Sequence, residues 1–97
     1  MNPKQQLKAL ADARRGVIVP GAFNAMSAKL IADLGFEAIY VTGAGVTNMW
    51  FGMPDQGFMG LADIADHTAR IRDAVEVPLL VDADTGFGNA VNTYHAV

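Results

Sequence analysis

No cysteine occurs among the 97 residues, which removes disulfides, thiolate zinc sites and cysteine nucleophiles from this stretch. Charge is sparse as well. Charged side chains make up 18%, below the roughly 25% usual for soluble domains. Seven basic residues against ten acidic ones give a formal net charge of −3. Such a chain lacks the basic footprint that nucleic acid or an anionic lipid surface needs. No apolar run approaches the roughly 20 residues of a membrane span, and the opening Met1-Asn2-Pro3-Lys4-Gln5-Gln6 lacks the layout of a secretory leader. What is plentiful is apolar mass: 52% of residues are hydrophobic, too many for a disordered chain. The expectation is a soluble, cytoplasmic globular protein with no nucleic-acid or membrane partner.

The segment Asn2–Arg15 reads as a helix. Asn2 can cap it, Pro3 suits its first position and Gln5 sits where a capping box places its return partner. Leu7, Leu10 and Ala11 form its apolar stripe, and Gly16 stops it. Val17-Ile18-Val19, closed by Pro20-Gly21, reads as a short buried strand. A second helix is capped by Asn24, carries Met26, Leu30, Ile31 and Leu34 on one face and ends at Gly35. Ala38–Val41 is the second strand. A third helix runs from about Leu61 with Ile64, Ala65, Thr68, Ile71 and Val75 on one side. After Pro78, Leu79–Val81 forms a third strand, and a last helix begins near Asn89.

Alternating continuous apolar strands and helices signify parallel βαβ units with a sheet buried on both faces. A closed (β/α)8 barrel typically needs about 250 residues. The expected architecture is therefore α/β, with residues 1–97 as the N-terminal part, about three strands, of one (β/α)8 TIM barrel domain. No internal domain boundary is foreseen, and the final helix is open at Val97. One connection is unusual. Gly43–Gly60 shows no regular period, whereas βα loops take about two to six residues. Its Met49, Trp50, Phe51, Met53, Phe58 and Met59 suit packing over a site or against a partner subunit.

The strongest chemical signal is Asp82-Ala83-Asp84 at the end of an apolar strand. Side chains two apart on a strand share a face, and two carboxylates there repel unless a cation sits beside them. A hard divalent ion such as Mg²⁺ fits that arrangement. The alternative is that one aspartate caps the turn at Gly86 and the other is solvated. Thr42-Gly43-Ala44-Gly45 can bring backbone N–H groups to an anion, or can be a tight turn. Asp55, between Pro54 and Gln56-Gly57, is first a turn residue. His67 is expected to face solvent, His95 lies on the last helix, and neither has a ligand partner at helical spacing. Tyr40 is read as packing.

Four stretches carry a family resemblance: Pro20–Ala25, Ile39–Gly45, Gly52–Asp55 and Val81–Asn89. In order and spacing they resemble the isocitrate lyase/phosphoenolpyruvate mutase superfamily over nearly the whole chain. The resemblance implies a Mg²⁺-dependent barrel (with Mn²⁺ as a substitute ion), assembled as a homotetramer that exchanges a C-terminal helix. It implies that Asp82 and Asp84 belong to the metal site, with Asp55 in its outer shell. It implies that Thr42, Gly43 and Ala44 hold the carboxylate of a small keto or hydroxy acid. Ala44 stands where many members have glycine, a mild departure if the contact is through the backbone.

The implied activity is a Mg²⁺-dependent carbon–carbon lyase acting on a 2-hydroxy di- or tricarboxylate such as 2-methylisocitrate. The alternatives are an oxaloacetate decarboxylase of the same fold, a phosphonomutase or C–P hydrolase, and a non-catalytic binding or assembly role for the 97-residue chain alone. The lyases of this family use a cysteine after the fourth strand as acid or base, so the catalytic residues are expected beyond Val97.

Overall fold

A computed structural model describes all residues, Met1–Val97. Helix α1 spans Pro3–Asp12, and its capping box forms as the sequence indicates, with Asn2 and Gln5 each accepting the other's backbone N–H. The helix ends before Gly16: Arg14 already takes a left-handed φ of 52°. Strand β1 (Gly21–Ala22), helix α2 (Ala25–Asp33) and strand β2 (Ile39–Val41) follow. Next come the short helix α3 (Gly43–Val46) and a π-helical turn (Thr47–Phe51). Helix α4 (Leu61–Ala74), strand β3 (Leu79–Val81) and helix α5 (Ala90–Ala96) complete the chain.

The three strands form one parallel sheet in the order β1-β2-β3. The first strand is displaced from its expected place at Val17–Val19. Pro20 C=O accepts from Tyr40 N–H at 2.8 Å, and pairing starts there with Gly21 opposite Tyr40. The residues before it lie beyond the reach of β2, and Ile18 is exposed. Ala22, Val41 and Val81 stand side by side in the register, so the three strands finish level and their next residues emerge together.

Burial follows the alternation of a strand. Ile39 and Val41 are fully buried beneath the helices with Ala22, Ala28, Ile64 and Ile71, each large side chain contributing about 1.5–3 kcal/mol. Tyr40 and its partner Leu80 face the other way. The sheet is not buried on both faces throughout, because β3 has only β2 beside it and leaves Leu80 and Val81 exposed. Helix α2 is also turned from its expected face. Met26, Leu30 and Leu34 are exposed, while small Ala28, with Ile31 and Ala32, packs against the core. An alanine there permits close approach to the sheet.

The aperiodic connection is the largest correction. Thr42 accepts the N–H of Gly45 at 3.1 Å and opens a helix at Gly43. That helix widens at Thr47 and closes at Gly52, which has a φ of 64°. Only the stretch Gly52–Gly60 is irregular.

Candidate metal and carboxylate site

The site is built where β2 and β3 end. Asp82 N–H continues the ladder to Val41 C=O at 3.1 Å, so its side chain lies on the face shared by Tyr40 and Leu80. Asp82 Oδ2 accepts the N–H of Gly43 at 3.3 Å, and Oδ1 accepts that of Asp84 at 2.8 Å. The second bond makes an Asx turn that puts Asp84 at a φ of 50°. Asp82 and Asp84 therefore meet through a turn. The strand alternation read from the sequence stops at Asp82, since β3 ends at Val81.

A Cβ on Gly43 would stand 2.7 Å from Asp82 Oδ2, so any side chain here would displace that carboxylate. Asp55 lies in the bend its neighbours predict, with Gln56 N–H donating to Pro54 C=O at 2.9 Å and Gly57 at a φ of 79°. The three aspartates are brought together: Asp55, Asp82 and Asp84 line one cleft of about 40 Å³ with Gly43, Thr47, Gly57 and Met59. That exceeds the roughly 10–15 Å³ a single water requires. No cationic side chain lines the cleft. Equally, no three acidic or histidine side chains stand close enough to form a ready-made metal cage. The largest concavity, about 900 Å³ between α1, α4 and the outer face of β3, contains none of these aspartates.

Of the proposed carboxylate cradle, two groups already have partners. The Thr42 oxygen accepts from Gly45, and the Gly43 N–H is given to Asp82. The Thr42 hydroxyl proton remains available, as does the N–H of Ala44, which at a first helical turn has no intrahelical acceptor. Tyr40 lies on the same sheet face as Leu80, and burial, then the charge of Asp82, raises its phenol above the ordinary value.

Two residues escaped the sequence reading. Thr47 is buried, walls the cleft and donates its hydroxyl to Gly43 C=O at 2.8 Å. His67 does not face solvent; it is buried on α4 beneath Trp50, with ring centroids 4.0 Å apart. Burial, then the charge of Arg70, lowers its pKa, and its Nδ1 has no hydrogen-bond partner. It lies outside the aspartate cleft. His95 is exposed on α5.

Comparison with known proteins identifies the family. The family model described as phosphoenolpyruvate phosphomutase matches residues 7–97. 2,3-Dimethylmalate lyase of Eubacterium barkeri is 41% identical over 97 residues, which is 100% of this chain and 34% of that protein. 2-Methylisocitrate lyase of Aeropyrum pernix is 42% identical over 95 residues, covering 98% of this chain and 30% of that protein. A solved phosphonopyruvate hydrolase, in complex with oxalate and Mg²⁺, superposes with a TM-score of 0.91 at 33% identity, over 98% of this chain and 33% of that one. The chain thus spans about a third of the length of the relatives it matches. It belongs to the phosphoenolpyruvate mutase/isocitrate lyase superfamily, and its parallel strands and crossover helices are the N-terminal portion of a (β/α)8 barrel.

Proposed function

We propose that this chain supplies the metal- and carboxylate-binding part of a Mg²⁺-dependent carbon–carbon lyase. The substrate is a 2-hydroxy di- or tricarboxylate of the 2-methylisocitrate kind, cleaved to a 2-keto acid and a second carboxylate. The observation that carries the reading is the convergence of Asp55, Asp82 and Asp84 on one cleft at the C-terminal ends of parallel strands, where barrel enzymes place their active sites. The lyase relatives, at 41% and 42% identity, favour carbon–carbon cleavage.

The residues fit the ion. The cleft offers carboxylate oxygens and no opposing cation, and Mg²⁺ typically takes only one or two carboxylates, completing its shell with water and substrate oxygens. The lack of a three-ligand cage suits that habit. When bound, Mg²⁺ would supply a Lewis acid that favours loss of the proton from the substrate 2-hydroxyl, whose oxygen becomes the keto group as the carbon–carbon bond breaks and the electron pair leaves with the second carboxylate. Asp82 and Asp84 would hold the ion, with Asp55 acting through water. The Thr42 hydroxyl and Ala44 N–H orient the substrate carboxylate. Gly43 contributes by fixing Asp82.

Three strand ends are present, and barrel catalysis draws on several more. The activity is accordingly proposed for the whole protein, as a homotetramer, with the acid or base outside this chain. A second reading, cleavage or rearrangement at a C–P bond, is favoured by the matching family's description and by the phosphonopyruvate hydrolase likeness. The test measures pyruvate release by the whole protein from 2-methylisocitrate, 2,3-dimethylmalate, oxaloacetate and phosphonopyruvate, and phosphoenolpyruvate formation from the last, with Mg²⁺ and with EDTA. Metal-dependent turnover of either hydroxy acid is the expected result. Turnover of phosphonopyruvate alone would favour the second reading, oxaloacetate alone would indicate a decarboxylase, and inactivity on all four would overturn the proposal.

A further inference from the structure

We infer that Thr47 is a positioning residue for the metal site, its hydroxyl fixing the Gly43–Ala44 peptide and, across the Gly43 Cα, the N–H that holds the carboxylate of Asp82. The inference rests on the metal-site reading above. Gly43 is gripped at both ends: its C=O accepts the Thr47 hydroxyl at 2.8 Å, and its N–H donates to Asp82 Oδ2 at 3.3 Å. Thr47 is 2% exposed and also forms part of the cleft wall. A threonine that bonds back to the carbonyl four residues earlier is common inside helices and by itself only local. Here the preceding peptide, joined to it at the Gly43 Cα, holds a carboxylate 39 residues away.

Position 47 is also where the helix widens. Its backbone N–H is shared between Gly43 and Ala44 carbonyls, and its own C=O receives Met53 N–H at a long 3.4 Å. The backbone bond there is divided, so the hydroxyl supplies the firm anchor. Without it the Gly43–Ala44 peptide can tilt and shift the Gly43 Cα, the N–H on the other side of that Cα moves off Oδ2, and the carboxylate loses its fixed direction. Groups that hydrogen-bond a metal ligand directly typically change metal affinity by about 10–100-fold when removed, and Thr47, acting through Gly43, belongs at the lower end of that range.

The experiment compares wild type, Thr47→Val, Thr47→Ser and Asp82→Ala in the whole protein, by Mg²⁺ calorimetry and by thermal melts without metal. Valine keeps the shape and removes the hydroxyl; Thr47→Ala serves in its place if valine prevents folding. The expected result is Mg²⁺ affinity weakened about tenfold or more in Thr47→Val and restored to within about twofold of wild type in Thr47→Ser. A lowered melt with unchanged Mg²⁺ affinity in Thr47→Val would make Thr47 merely structural and overturn the inference. The metal reading survives that outcome if Asp82→Ala still abolishes binding. A wild type that binds no Mg²⁺ would overturn both.

Discussion

Gly43 donates its backbone N–H to Asp82 Oδ2, joining the first residue of α3, two past the end of β2, to the one just past the end of β3. The carboxylate proposed as a metal ligand is thereby also a tie between two strand ends. Its direction is set by the register of the sheet and by a glycine where a Cβ would push it aside.

That double role decides what Asp82→Ala does. Considered as charge alone, deleting one of two adjacent carboxylates relieves repulsion and leaves stability equal or higher in the absence of metal. The hydrogen bonds reverse the sign. The substitution strips an acceptor from both Gly43 and Asp84 N–H, a cost of about 1–3 kcal/mol for the half-buried donor. The mutant should melt lower without metal and fail to bind Mg²⁺ by calorimetry. Unchanged Mg²⁺ affinity would remove Asp82 from the ligand set; a higher melt would show that repulsion dominates.

Asp84→Gly should separate stability from activity. Asp84 holds a left-handed φ of 50°, a conformation glycine adopts without strain. Its side chain accepts no hydrogen bond in the fold, whereas its N–H is used by Asp82 and is retained. Stability is expected to stay level or rise by less than about 1 kcal/mol, while Mg²⁺-dependent turnover falls. Urea denaturation and a Mg²⁺ titration on the same variant check this, and a loss of more than about 1 kcal/mol would contradict it.

His67 makes stability depend on pH below neutrality. Burial, then Arg70, lowers its folded pKa, against the opposing pull of Asp66 and Asp63. The unfolded chain titrates near 6.5, so between that value and the lower folded one the unfolded state binds more protons. The stabilisation is complete above about pH 6.5 and is lost as pH falls towards the folded value, at no more than about 1.4 kcal/mol per pH unit. Melts at about pH 7.5 and 5.5 should differ more in wild type than in His67→Phe, which keeps a ring against Trp50. Equal pH dependence in the two would locate the effect elsewhere. Glu37, whose pKa its hydrogen bond to Arg15 holds down, acts in a lower window.

Much of this fold was legible in the sequence. The capping residues Asn2, Asn24 and Asn89 each hold their helix start, and β2 and β3 fall where their apolar runs stand. The aspartate cleft was legible in its members but not in its geometry. A strand period brings Asp82 and Asp84 to one face, whereas the chain does it with an Asx turn, which depends on one side-chain hydrogen bond that no periodicity reveals. The helix after Thr42 escaped notice because Gly43 and Gly45 read as loop residues; a threonine cap and the wall of the sheet outweigh their poor propensity. His67 was readable in hindsight. It follows Ile64 by three and precedes Ile71 by four, the spacing of a single buried face, and polarity alone had put it outside. Val17–Val19 misled for another reason: β propensity registers only where a neighbouring strand offers partners.

Helix α1 stands apart from the rest of the molecule. It buries no residue fully, its capping box and its Lys8–Asp12 pair are internal to it, and the ion pair from Arg15 to Glu37 just beyond it is exposed. Detaching it uncovers little apolar surface and breaks no hydrogen bond that the helix does not make with itself. Local opening there is nearly independent of global unfolding. The N-terminal helix can therefore open on its own while the core of Ile39, Val41, Ile64 and Ile71 stays packed, so that a cut or a label placed on it reports little about the sheet.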